Sequence, residues 1–179
     1  MTTFVALLRA VNVGGNNKIA MPALRSTFET LGYSDVTTYI QSGNIVFDSE
    51  LRKSTALVAK IEAAISRDFG LTIDVVIRSA RELTTVIESN PYLGRVANPL
   101  ALHVVFLNQS PDPARINTLD RTRFEPDEFT LGPRELYLHC PEGVGKSKLP
   151  SALLTKLAPA PATMRNWNTV NKLADLASR

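Results

Sequence analysis

Apolar residues crowd the start of the chain and fill both alternating sets of positions: Phe4, Ala6 and Leu8 on one side, Val5, Leu7 and Val11 on the other. That predicts a strand over residues 3–13 buried on both faces. Gly14-Gly15-Asn16-Asn17-Lys18 then reads as a loop. Pro22 suits a first helical turn, and Leu24, Phe28 and Leu31 recur at helical spacing until Gly32 stops the helix. Strands follow over 36–41 and 44–47, joined around Ser42-Gly43 as a hairpin. Ser54 is placed to cap a second helix whose stripe is Leu57, Val58, Ile61, Ile65 and Phe69, closed by Gly70. Residues 73–77 make a further strand. The order is β-α-β-β-α-β, the split βαβ or ferredoxin-like pattern.

The rest of the chain repeats that order. A connecting helix opens on the capping box Ser79-Ala80-Arg81-Glu82 and ends at Asn90-Pro91. A strand over 100–107 is followed by a short helix that Asp112-Pro113 opens, carrying Ile116 and Leu119. Residues 129–131 and 135–140 form a hairpin around Gly132-Pro133. A helix over 149–157 has Pro150 in its first turn, 162–165 is a short strand, and Asn168 caps a final helix with Val170, Leu173 and Leu176. The repeat is one of element order, with no residue-level identity between the halves. The expectation is an α+β fold, a tandem duplication of two ferredoxin-like βαββαβ subdomains with a connecting helix and a C-terminal helix. Residues 1–78 form the first subdomain, 79–98 the connecting helix and linker, and 99–179 the second, the whole expected to make one compact unit.

Composition narrows the setting. The 179 residues are 44 % hydrophobic and 21 % charged, as in folded globular proteins, and long enough to bury a core without disulfides or metal. One thiol, Cys140, cannot form an internal disulfide, and no Cys/His cluster has zinc-ligand spacing. No apolar run reaches the roughly 18 residues of a membrane span. The run Phe4-Val5-Ala6-Leu7-Leu8 is cut by Arg9 and has no positive region before it, unlike a signal peptide. A soluble protein of the reducing cytoplasm is expected, with no membrane and no metal. Net charge is only +3, from 20 Lys+Arg and 17 Asp+Glu, but it is unevenly spread. Residues 1–28 hold Arg9, Lys18 and Arg25 and no acid, and residues 143–179 hold six bases and one acid. Residues 112–142 hold seven acids and four bases. Basic ends flank an acidic middle.

Three motifs occur in order: Leu8-Arg9-Ala10-Val11-Asn12-Val13-Gly14-Gly15 with Lys18; Tyr39-Ile40-Gln41-Ser42-Gly43-Asn44-Ile45-Val46-Phe47; and Met164-Arg165-Asn166-Trp167-Asn168-Thr169-Val170. With them the chain resembles the bacterial domain-of-unknown-function family 1697 over essentially its whole length. The resemblance implies a duplicated ferredoxin-like α+β fold and no particular activity, substrate or cofactor.

In a ferredoxin-like unit, the loop after the first strand and the hairpin between the second and third lie at one end of the sheet. That brings Arg9, Asn12 and Lys18 beside Gln41, Ser42 and Asn44, amides and cations suited to a phosphate or carboxylate. Turn formation alone also explains Asn and Gly there. In the second half the same logic joins Lys146 and Lys148 to Arg165 and Asn168, both segments leading into helix N-termini. Gly145-Lys146-Ser147 is not a Walker A loop, because the position that must be Gly is Cys140.

Alternation sets His103 and His139 on one face with Tyr137 and turns Cys140 to the other, which argues against a His-His-Cys metal site. Cys140, beside a basic loop, is a candidate nucleophile as well as a candidate buried thiol. The strand Asn44-Ile45-Val46-Phe47-Asp48 lacks the base and stacked rings of a sheet that binds RNA. The reading is a protein that binds an anionic ligand, a phosphate-containing small molecule or a nucleic-acid backbone, at basic loops. Alternatives are an acyl- or phosphoryl-transfer enzyme using Ser42 or Cys140, and an interaction module for an acidic protein.

Overall fold

The computed structural model describes residues Met1–Arg179. Its first half runs β1 (Thr2–Leu8), α1 (Met21–Thr30), β2 (Ser34–Tyr39), β3 (Asn44–Ser49), α2 (Ser54–Phe69) and β4 (Val75–Ser79). After α3 (Ala80–Glu88), the second half runs β5 (Leu102–Leu107), α4 (Pro113–Ile116), β6 (Glu128–Leu131), β7 (Glu135–His139), α5 (Leu149–Leu157) and β8 (Ala162–Asn166), and α6 (Trp167–Ala177) follows. Two four-stranded antiparallel sheets result, ordered β2-β3-β1-β4 and β6-β7-β5-β8, the ferredoxin-like order in each case. The chain divides into a unit of Met1–Thr85 with Lys172–Arg179 and a unit of Val86–Asn171.

Several element ends differ from the apolar pattern, each for a local reason. β1 stops at Leu8, short of Val13, because Ala10 and Asn12 turn into the left-handed region at φ 53° and 54°. β2 stops at Tyr39 because Ile40 does the same, at φ 50°. Ser54 is the first helical residue of α2 and not its cap; the cap position is Lys53, whose side chain makes no capping bond. The capping box at α3 forms as expected: Glu82 N donates to Ser79 Oγ at 3.2 Å, and Ser79 N to Glu82 Oε2 at 2.7 Å.

In the first unit, Phe4, Ala6, Leu8, Ile45, Phe47, Val75 and Ile77 meet Leu24 and Phe28 of α1 and Leu57, Ile61 and Ile65 of α2. Phe28 and Phe47 pack edge to face with ring centres 5.2 Å apart. In the second, Val105, Leu107, Leu136, Leu138 and Ala162 meet Ile116, Leu149, Leu153 and Leu157. The opposite face of the first sheet, with Val5, Leu7, Val46 and Val76, is buried too.

Register reveals a residue-level repeat that the linear sequence hides. Val5 pairs with Arg78 and Val104 with Arg165, so the two arginines occupy equivalent positions. Each is buried and donates from Nη1 to the carbonyl of the residue before it, Ile77 or Met164. Asn44 and Glu135, the buried polar residues that open β3 and β7, correspond likewise, as partners of Leu7 and Phe106. So do Ser79 and Asn166, which each end a strand and cap the helix that follows.

Candidate functional site

The first cluster gathers where β1 ends and the β2–β3 hairpin turns. Asn12 spans the two loops: its Nδ2 donates to Gln41 O at 2.8 Å and Ile19 O at 2.9 Å, and its Oδ1 accepts from Ile19 N. Asn44, fully buried, donates to Tyr39 O and to Ser42 Oγ, each at 3.0 Å. Gly43 sits at φ 75°, and a Cβ there would stand 2.8 Å from Leu8 Cβ, so the close approach of hairpin to strand requires glycine. Arg9 is paired with Asp74 at 3.0 Å. Lys18 and Gln41 are exposed. The loops do meet: the Asn12 amide ties one to the other through Gln41 O, and the Asn44 amide is spent within the hairpin.

The second cluster separates into an exposed part and a buried part. Lys146 and Lys148 are exposed in the loop entering α5. In the first turn of α5, Leu149 N donates to Ser147 Oγ, Pro150 has no N–H, and Ala152 N donates to Lys148 O. Arg165 is buried, and its Nη1 donates to Thr163 Oγ1 at 2.7 Å and to Met164 O at 2.9 Å. Burial pulls its guanidinium down to about 10. Through its pairing with Val104, Arg165 lies on the sheet face away from Val105, Leu138 and α5, and so apart from the two lysines. Asn168 does not cap α6. It is exposed inside the first turn, while Asn166 Oδ1 accepts from Thr169 N at 2.8 Å.

Beside the lysines stands a short turn, Arg121–Phe124, that sequence reading passed over. Arg123, Phe124 and Lys148 line two depressions together. One, of about 520 Å³, adds Leu119, Ser151, Ala152 and Thr155 and contains no acid. The other, of about 310 Å³, adds Glu125, Asp127, Glu142, Lys146 and Ser147. Phe124 also borders a third cavity, of about 750 Å³, with Tyr92, Arg95, Arg121, Glu128 and Phe129. There Arg121 lies over the Phe129 ring, 4.0 Å from its centre, and Glu128 meets His139 at 3.1 Å and Arg95 at 3.4 Å. The hydrogen bond from His139, with Arg95 nearby, holds the Glu128 carboxyl below its ordinary range. Arg123 escaped notice because it lies in the acid-rich stretch, where net charge masks a single base.

One other expectation changes, and the alternatives for Cys140 are narrowed to the buried thiol. His103 pairs with Leu138 while Tyr137 pairs with Val104 and His139 with Leu102, so the histidines face opposite sides of the sheet. His103 shares its face with Leu138 and Cys140, and burial lowers its pKa. Alternation fixes the faces within each strand, and only the register between β5 and β7 decides which face of one matches which of the other. Cys140 is fully buried and its thiol is pushed up to about 11 by burial, the reverse of an activated nucleophile. Ser42 has no histidine within its unit, since the chain's two lie in the other.

A family model described as a protein of unknown function (DUF1697) matches residues 1–137. No curated protein matches the chain. Among solved structures, a conserved bacterial protein from Streptococcus pneumoniae is similar, with 24 % identity and a TM-score of 0.79, over 98 % of this chain and 98 % of that one. That likeness concerns the fold. The family match takes in the first cluster and Arg123, whereas Lys146, Lys148 and Arg165 lie beyond it.

Proposed function

The chain belongs to the family described as a protein of unknown function (DUF1697), and for this member we propose binding of a phosphate-bearing small molecule on the second unit, at Arg123, Lys148 and Lys146. The observation that carries this reading is the acid-free depression lined by Arg123, Lys148 and Ser151. Two cations line it beside Ser151, whereas Arg9 is matched by Asp74, Arg165 is buried, and Lys18 stands exposed in the first unit. Charge, more than helix amides, supplies the attraction, since the first turn of α5 has used most of its own. Glu125, Asp127 and Glu142 share the neighbouring rim with the bases. The patch thus lacks the single-sign field that draws in long polyanions, which favours a compact ligand over a nucleic-acid backbone.

Thermal unfolding tests the reading. A ligand at one hundred times its Kd adds about 2.7 kcal/mol of stability, so inorganic phosphate or pyrophosphate at saturation should raise Tm by several degrees. Lys148→Ala and Arg123→Ala, both at exposed positions, should abolish that rise without lowering the unliganded Tm. An equal rise in the variants would place the anion elsewhere, and no rise with either anion would end the proposal.

A further inference from the structure

Resting on that anion site, we propose that the ligand is a nucleoside monophosphate, its phosphate held by Arg123 and Lys148, its ring against Phe124 and its ribose hydroxyls on the acids of the adjoining depression. Three observations converge. The first is that the acid-free and acid-bearing depressions are not independent: Arg123, Phe124 and Lys148 form part of the wall of both. A molecule seated on the two cations therefore extends directly over the second depression. The second is the chemistry of that extension. Glu125, Asp127 and Glu142 line it. Ionised carboxylates accept hydrogen bonds and repel further negative charge. Whatever continues from the phosphate must be uncharged or cationic and must donate. A bare phosphate or a polyphosphate leaves these acceptors unused or is pushed away by them; vicinal hydroxyls satisfy them.

The third is the aromatic ring at the junction. Phe124 packs on the core of the second unit yet stays half-exposed, and it borders all three cavities. A half-exposed ring between a basic and an acidic depression offers a face to a planar group, and stacking of a base on an aromatic side chain contributes about 1–3 kcal/mol. Phosphate, planar ring and donor diol occur together in a nucleoside monophosphate. Lys146 and Ser147, on the acid side, stand where ring substituents or ribose oxygens arrive.

Isothermal titration with adenosine 5′-monophosphate, adenosine and inorganic phosphate separates this inference from the anion reading beneath it. The monophosphate should bind at least tenfold more tightly than phosphate, and Lys148→Ala should weaken both. Phe124→Leu should weaken the monophosphate severalfold and leave phosphate unchanged. The double change Asp127→Asn with Glu142→Gln should weaken the monophosphate severalfold while phosphate, relieved of two nearby negative charges, binds no more weakly. Because Phe124 also touches the core, the acid variants carry the test if Phe124→Leu lowers the unfolding temperature. Equal affinity for the monophosphate and phosphate overturns the inference and leaves an anion site. Binding of neither overturns both.

Discussion

Ile40 places a branched side chain where the backbone favours glycine or asparagine. At φ 50° its Cβ crowds the following carbonyl, a conformation costing about 1–2 kcal/mol for an L-residue. The side chain is 49 % exposed, so burial returns only part of that cost. Ile40→Asn should stabilise the protein by about 1 kcal/mol and raise Tm by about 2–4 °C for a chain of this size. A lower Tm would mean that the packing of Ile40 outweighs its strain. Asn12 and Asn44 teach the complementary lesson. Their residue type and loop position are visible in sequence and suit a ligand. Their actual partners are backbone carbonyls: Ile19 O and Tyr39 O within their own loops, and Gln41 O, which Asn12 reaches only because two loops distant in sequence meet.

At the scale of elements, strand-to-helix junctions show what a linear pattern conveys. Ser79 ends β4 and caps α3, and the reciprocal Glu82 three residues on makes that junction legible. The sequence Asn166-Trp167-Asn168 offers two asparagines and no reciprocal partner, and spacing alone selects the wrong one. Asn166 remains in the ladder, paired with His103, while its side chain already serves the helix. Asn166→Ala should therefore cost about 1 kcal/mol in urea unfolding, and Asn168→Ala, at an exposed position, less than about 0.5 kcal/mol. Equal losses would contradict the capping assignment. Strand ends were misplaced for a related reason: apolar runs continue through Val11 and Ile40, and only backbone sign changes break them.

For the whole molecule, element order was readable because alternation and helical spacing are local, and each sheet assembles in the order that they imply. The candidate site was less readable. Lys146 and Lys148 stood out as bases in a basic segment, but Arg123 and Phe124 reach them only through the folding of the acidic middle. Least readable is the return of the chain, whose last residues, Lys172–Arg179, group with Met1–Thr85. Leu176, Ala177 and Arg179 border a cavity of about 530 Å³ with Thr3, Thr37, Val46 and Asp48 of the first sheet. Leu173 and Ala177 are buried. The first unit is thus completed by residues far from it in sequence, and its sheet should weaken without them. Ending the chain at Asn171 removes the buried Leu173 and Ala177 and the half-buried Leu176 and Ala174, a loss of about 2–4 kcal/mol by the area they bury. Amide exchange should then quicken in β2 and β3 while β5 and β7 keep their protection, because those strands draw their core from Leu149, Leu153 and Ile116. Unchanged protection in β2 and β3 would show that the first unit stands without its C-terminal segment.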